Sequence, residues 1–215
     1  MNGSGRGYRT ERCHGCGLPV VLCICAELPC VPVRLRTTFI VHFREWRKPT
    51  NTARVAQRML SQSRVLLRGG PTPEAGRDAE QAIESIPPAN AVLLFPSPES
   101  LPIATLGQPA QLELVVPDGT WSQTRRLVRR HPVLQRMPHV RLSERDTVYR
   151  LRRGATPGLL CTLEAVAWAL AALEPACDYM QLLSGFGRWQ DRALSYRGCP
   201  AEADDKEDVV PRPIF

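Results

Sequence analysis

Leu112-Glu113-Leu114-Val115-Val116 runs into Pro117-Asp118-Gly119-Thr120-Trp121, and Ser122-Gln123-Thr124-Arg125-Arg126-Leu127-Val128-Arg129-Arg130 follows at once. The opening segment has the length and apolar content of a strand, and the proline stops it. The closing segment has helical spacing, with a helix start at or near Ser122. A strand that passes into a helix through a tight polar turn is the repeating unit of an α/β sheet. Ligands in such sheets bind outside the carboxyl ends of the strands. Asp118, Thr120 and Trp121, with Gly119 between them, are therefore the first candidates for an active site.

Working outward, Arg36–His42 and Ala91–Phe95 read as further strands, and Val65–Leu67 and Val140–Leu142 as short ones. Helices are expected over 52–63, capped by Asn51 or Thr52, over 73–85, and over 176–194. Thr162–Leu173 is Ala- and Leu-rich, with Thr162 as the expected cap and Glu164 in its first turn. The three hydrophobic strands lack polar alternation, as strands covered on both faces do. The class that follows is α/β with a mainly parallel sheet. Three loops share one grammar: Pro96-Ser97-Pro98 after Phe95, the turn after Val116, and Thr156-Pro157-Gly158-Leu159-Leu160-Cys161 before Thr162. Together they imply one pocket at adjacent strand ends.

A chain of 215 residues holds one sizeable core and a small accessory module. The expected division is an N-terminal arm with a cysteine module over 1–33, a catalytic domain over 34–199 and a loose tail over 200–215. No run approaches the roughly 18 apolar residues of a membrane span. The Gly- and Arg-rich start has no apolar signal core, so a cytoplasmic protein is expected. The formal charge is +7, from 28 Lys and Arg against 21 Asp and Glu, and only Lys48 and Lys206 are lysines. Arginine suits phosphate and nucleic-acid surfaces, although a GC-rich genome also enriches it.

Eight cysteines in a cytoplasmic chain are not a disulfide frame. Four crowd together as Cys13, Cys16, Cys23 and Cys25, and a Cys-x2-Cys knuckle followed by a close pair is a structural zinc pattern. Four thiolates leave no open position for catalysis, and His14 or Cys30 is the alternative fourth ligand. In the expected basic helix after Trp121, Arg125, Arg126, Arg129 and Arg130 fall within an arc of roughly 140°, with Thr124, Leu127 and Val128 opposite. A face made only of arginine fits phosphate better than a mixed solvated face does. A second polar constellation, His42, Glu45, Arg47, Asn51, Thr52 and Arg54, joins a strand end to a helix start and extends the expected RNA-facing surface.

At these residues the chain resembles the DTW-domain family, whose Asp-x-Thr-Trp signature stands here as Asp118-Gly119-Thr120-Trp121. The cysteine knuckle, His42-x2-Glu45 with Asn51-Thr52, the Leu93–Ser97 segment and Thr162-x-Glu164-Ala165 appear in the family's order. The resemblance implies a SPOUT-like fold with a trefoil-knotted cofactor site. It also implies transfer of a 3-amino-3-carboxypropyl group from S-adenosylmethionine to N3 of a tRNA uridine, releasing 5′-methylthioadenosine. Leu94, Phe95, Pro96, Ser97, Pro117, Leu159, Leu160, Thr162 and Glu164 are the expected cofactor residues. Asp118 would take the N3 proton or orient the uracil. Trp121 would stack on the base or anchor the loop in the core, and the core placement is the simpler expectation. The alternatives are a methyltransferase on the same cofactor and a zinc-ribbon RNA-binding protein without catalysis; monomer and homodimer are both open.

Overall fold

The computed structural model describes residues 10–70, 72–107, 111–151 and 159–196. The tail over 200–215, Cys199, the start of the arm and Thr156-Pro157-Gly158 lie outside the described residues. In chain order the elements are β1 (Arg36–His42), α1 (Phe43–Trp46), α2 (Thr52–Met59), β2 (Ser63–Arg68), α3 (Pro73–Glu84) and β3 (Ala91–Leu94). They continue with β4 (Leu101–Pro102), β5 (Glu113–Asp118), α4 (Trp121–Arg130), α5 (Pro132–Arg136), β6 (His139–Arg141), α6 (Thr162–Leu173) and α7 (Met180–Tyr196).

The six strands form one sheet in the order β2-β1-β5-β3-β6-β4, and every pairing is parallel. The expected parallel α/β class is what the chain adopts. Successive strand residues point to opposite faces, and the two cores divide accordingly. Phe39, Val41, Leu114 and Val116 pack with α2, α6 and α7. Ile40, Leu93 and Val115 face the other way, onto Ile83, Leu127, Val128 and Leu134 of α3, α4 and α5. Cys16, Leu18, Ile24 and Leu28 of the cysteine module belong to the first core. The Trp189 indole N–H donates to the Cys16 carbonyl at 2.9 Å and fixes that module to α7.

Several boundaries differ from expectation for local reasons. β5 does not stop at Pro117 but continues to Asp118. Pairing with β3 ends at Leu93–Val115, while β1 remains a partner as far as Val41–Asp118. At the level of Pro117 the strand is thus an edge on one side, where a missing N–H is tolerated. α4 begins at Trp121 because Thr120 is the N-cap: its hydroxyl accepts the Gln123 N–H, and the Gln123 side-chain carbonyl accepts the Thr120 N–H at 2.7 Å. α6 is capped by Cys161 rather than Thr162, with the Glu164 carboxylate accepting the Cys161 N–H at 2.7 Å. That exchange releases the Thr162 hydroxyl for another partner. α2 ends at Met59, and α7 begins at Met180.

Candidate active site

In a parallel sheet all strands end on the same side, so the segments after β1, β3, β5 and β6 share one rim. Between them lies a cavity of about 840 Å³, within the size range of small-molecule and cofactor sites. Leu94, Phe95, Pro96, Val116, Pro117, Val140, Leu142, Leu159 and Leu160 supply apolar wall. Glu45, Asn51, Thr52, Asp118, Thr120, Arg141, Glu144 and Thr162 supply polar groups.

Asp118 is held at both carboxylate oxygens by residues far away in the chain. The Asn51 amide donates to Oδ2 at 2.6 Å, and the Thr162 hydroxyl donates to Oδ1. Asn51 is pre-aimed, because its own side-chain oxygen caps α2 by accepting the Arg54 N–H at 2.9 Å. Burial pushes the Asp118 carboxyl above its ordinary value, and the charge of Glu45 pushes the same way. The Thr162 and Asn51 hydrogen bonds and the charge of Lys48 act against that rise without overcoming it.

Glu45 ties the opposite wall to the signature turn. Its carboxylate accepts the Gln123 side-chain N–H at 3.1 Å and pairs with Lys48 at 2.6 Å. Gln123 in turn holds the Thr120 backbone. A Cβ on Gly119 would stand 2.9 Å from the Gln123 side-chain oxygen, so a side chain there would displace the group that fixes the turn.

The other expected site residues divide clearly. Leu94, Phe95, Pro96, Pro117, Leu159, Leu160 and Thr162 line the cavity, whereas Ser97 and Glu164 stand behind its wall. The Ser97 hydroxyl bonds His139 Nδ1 at 2.9 Å. Glu164 is buried and accepts from the Thr147 hydroxyl, the Val148 N–H and the Cys161 N–H, so its carboxylate ties Thr147 and Val148 to the start of α6. Trp121 is not in the core: it is 45% exposed at the cavity edge, with its ring centroid 6.4 Å from that of Phe95. The indole at the first helical turn stands beside the Phe95 ring, and Leu127 and Val128 fill the buried face of α4.

Arg125, Arg126, Arg129 and Arg130 are exposed together, on the face opposite the buried Thr124, Leu127 and Val128. Arg47 is also exposed, and its guanidinium lies 5.6 Å from the Phe43 ring centre. His42 caps α1, its Nδ1 accepting the Arg44 N–H at 3.1 Å. Asn51 and Thr52 are buried against the cavity rather than displayed on the surface. Arg54 corrects the surface expectation most sharply. It is only 8% exposed, stacks 4.8 Å from the Trp46 ring centre, and lies beneath the cysteine module at Gly17. Desolvation lowers its pKa, while the charges of Cys16 and Cys13 oppose that change.

The sulfurs of Cys13, Cys16, Cys23 and Cys25 all lie within 4.8 Å of one another. The separations Cys13–Cys23, Cys13–Cys25 and Cys16–Cys23 are 3.3, 3.5 and 3.8 Å. A tetrahedral ion with sulfur bonds of about 2.3 Å has edges of about 3.8 Å, so the four ligands fit a metal ion. Gly15 is required here, since a Cβ would stand 2.8 Å from the Cys25 sulfur. Against desolvation, backbone N–H groups of Cys16 and Gly15 and the thiols of Cys23 and Cys25 bring Cys13 down to about 6.

Sequence reasoning passed over Gln123, Arg141, Glu144 and Tyr149, and Lys48 reads there as part of the basic surface rather than of the cavity. Lys48 and Gln123 stand three residues from Glu45 and Thr120, spacing that one helical turn brings together. Arg141, Glu144 and Tyr149 come from a strand end and an irregular segment, where no period marks a position.

The DTW domain matches residues 10–194. The chain belongs to the DTW-domain family. The tRNA-uridine aminocarboxypropyltransferase 2 of Drosophila melanogaster is 30% identical over 182 residues, covering 81% of this chain and 71% of the relative. The tRNA-uridine aminocarboxypropyltransferase A of Arabidopsis thaliana is 28% identical over 203 residues, covering 78% and 74%. The tRNA-uridine aminocarboxypropyltransferase 2 of Macaca fascicularis is 26% identical over 172 residues, covering 77% and 57%. No solved structure matches the chain. The DTW signature of this member is thus Asp118 at the end of β5, Gly119 in the turn, Thr120 as the helix cap and Trp121 at the cavity edge.

Proposed function

We propose that this DTW protein transfers the 3-amino-3-carboxypropyl group of S-adenosylmethionine to N3 of a uridine in tRNA, releasing 5′-methylthioadenosine. The observation that carries the reading is Asp118, clamped by Asn51 and Thr162 inside the cavity, with Trp121 at its open edge and the α4 arginines outside. The names of the relatives support it. The donor set fits the co-substrate: apolar wall for adenine and methylthio groups, Asp118 and Glu45 for a sulfonium cation, and further polar groups for an amino acid.

The sulfonium supplies an electrophilic Cγ. The uracil N3 lone pair forms the new C–N bond as the C–S bond breaks, and the bonding pair returns to sulfur. The N3 proton goes to Asp118, whose raised pKa brings its basicity closer to the task. Each Asp118 oxygen accepts one hydrogen bond from the protein and retains capacity for the N3–H. The uridine must leave its stack to enter the cavity, and Trp121 offers it an aromatic face. Exposed phosphates meet Arg125, Arg126, Arg129, Arg130 and Arg47, while His42 caps α1, the short helix that carries Glu45 and ends at Arg47. Glu164 and Arg54 act through the scaffold, bracing α6 and the cysteine module.

We further propose zinc as the ion of the four cysteines, a knotted cofactor region around the 94–97, 117–121 and 159–162 segments, and a cytoplasmic setting where the thiols stay reduced. Among the described residues no helix is long and apolar enough to cross a membrane.

The test uses unmodified tRNA and S-adenosylmethionine labelled at the methyl carbon in one sample and at the carboxyl carbon in another. Label should reach tRNA only from the carboxyl sample. Transfer from the methyl sample alone refutes the reading in favour of a methyltransferase. tRNA binding with no transfer from either refutes it in favour of a binding protein.

A further inference from the structure

Two opposite charges line the cavity without neutralising each other. Arg141 closes β6 and Glu144 follows three residues later; both are exposed and both contribute to the wall. Among the described residues neither is found in an ion pair, and the contact recorded for the Arg141 guanidinium is the Ser100 hydroxyl at 3.4 Å. The other cavity cation, Lys48, is already engaged with Glu45 at 2.6 Å. A guanidinium offers a planar fork to a carboxylate, and a carboxylate accepts from an ammonium. The pair is therefore complementary to a zwitterion, an α-amino acid.

We propose that Arg141 binds the α-carboxylate and Glu144 the α-ammonium of the amino-acid end of S-adenosylmethionine. The assignment rests on the transfer reaction proposed above and goes beyond it, because it fixes which end of the co-substrate lies where. A phosphate fits this position poorly: Glu144 would repel it, and the phosphate-type face of α4 lies outside the cavity wall. The reach is consistent. β5, β3 and β6 are consecutive in the sheet, with Val115 level with Leu93 and Leu93 level with His139, so that Pro117 and Arg141 each lie two residues further along. Arg141 thus starts two strands, about 9.6 Å, from the level of Pro117. An arginine side chain and the short carbon chain between carboxylate and Cγ bridge that interval, leaving Cγ near Asp118. Anchoring the amino acid at Arg141 presents Cγ to the uracil and turns the methyl group toward the apolar wall.

Isothermal titration of the full chain with S-adenosylmethionine and with 5′-methylthioadenosine, which lacks the amino-acid end, tests this. Arg141→Ala should weaken S-adenosylmethionine by about ten- to hundredfold, the loss of a charge-assisted hydrogen-bonded pair, and leave 5′-methylthioadenosine unchanged. Glu144→Gln should weaken the same ligand by a smaller factor and again spare the other. Equal weakening of both ligands overturns the proposal, since it marks the two residues as general wall. Unchanged S-adenosylmethionine binding with weaker tRNA binding overturns it in favour of a phosphate contact. A wild-type chain that transfers the group to tRNA yet shows either pattern in the variants sinks this assignment alone. A wild-type chain that binds neither ligand sinks the transfer reading and the assignment with it.

Discussion

Asn51 does two jobs with two atoms, and a substitution can separate them. Its Oδ1 caps α2 through the Arg54 N–H at 2.9 Å, and its Nδ2 holds Asp118 at 2.6 Å. Serine caps a helix about as well as asparagine but carries no amide to reach the carboxylate. Asn51→Ser should therefore keep the fold and release one Asp118 oxygen. A hydrogen bond to a charged group contributes about 1.5–3 kcal/mol, and about 1.36 kcal/mol of preference for the ionised form is one pKa unit. The Asp118 pKa, already raised by burial, should rise further, by the free energy of the lost bond. In the proposed mechanism transfer needs Asp118 ionised, so the acid limb of kcat/KM against pH should move upward by that amount, with activity recovering at higher pH. Asn51→Ala should show the same shift plus a cap loss of about 1 kcal/mol, a fall of about 2–4 °C in melting temperature for a chain of this size. An acid limb that stays in place in Asn51→Ser, with melting unchanged, refutes the claim that Asn51 tunes Asp118.

Asp118→Asn should abolish transfer, with retained full activity removing Asp118 from the mechanism. Because the folded-state pKa is raised, the ionised carboxylate opposes folding above that pKa and not below the unfolded value. The stability of Asp118→Asn relative to wild type should thus improve from pH 4 to pH 8 in paired melts, and a decline would contradict the burial argument. Removing the metal with a chelator should release about one ion per chain and loosen the Cys16 carbonyl from the buried Trp189, giving a red-shifted tryptophan emission and a lower melting temperature; no metal released and no shift count against the cysteine site. Charge reversal at Arg126, which is exposed, should leave melting unaltered but weaken tRNA binding and reduce its salt slope by about one; an unchanged slope removes that residue from the phosphate surface.

The sequence disclosed most where a period or a stop signal dominates. β1, β3 and β5 are apolar runs between turn residues, and the α4 arginine face follows from 3.6-residue geometry alone; all four appear in the fold. β4 has two residues, too few to carry any period. The placement of Trp121 was open because an indole is equally at home in a core and at a wet edge, and the buried face of α4 was already filled. Arg54 shows the opposite limit. An arginine in a basic constellation reads as surface, yet its helix neighbours Val55 and Ala56 are buried and the cysteine module covers it. Glu164 was rightly placed in the first turn of α6, but Thr147 and Val148, which share its carboxylate, lie in a segment without regular structure that no local pattern connects to it.

The three residues at the heart of the site, Asn51, Asp118 and Thr162, belong to three separate junctions, and each junction opens a helix. Asn51 caps α2, Asp118 precedes the Thr120 cap of α4, and Thr162 is the first residue of α6. Three helix N-termini directed at one cavity favour negative charge there, which explains why a carboxylate is tolerated at a position where burial disfavours it. The balance still leaves Asp118 raised, because desolvation outweighs the Thr162 and Asn51 donors. Lys48 and Glu45 act on Asp118 in opposite directions while paired to each other. Their mutual neutralisation leaves the depth of the cavity, rather than a neighbouring charge, as the main control of its basicity. Charge is also sorted by depth: four arginines stand outside on α4, while the buried Asp118 carboxylate lies inside, beyond the Glu45–Lys48 pair and Arg141 of the wall. In the reaction proposed above, a polyanion would be drawn to the surface and a cationic sulfonium favoured beside Asp118. In that reaction the unstacked base is the part of tRNA that would pass from the first environment to the second without carrying a phosphate into it.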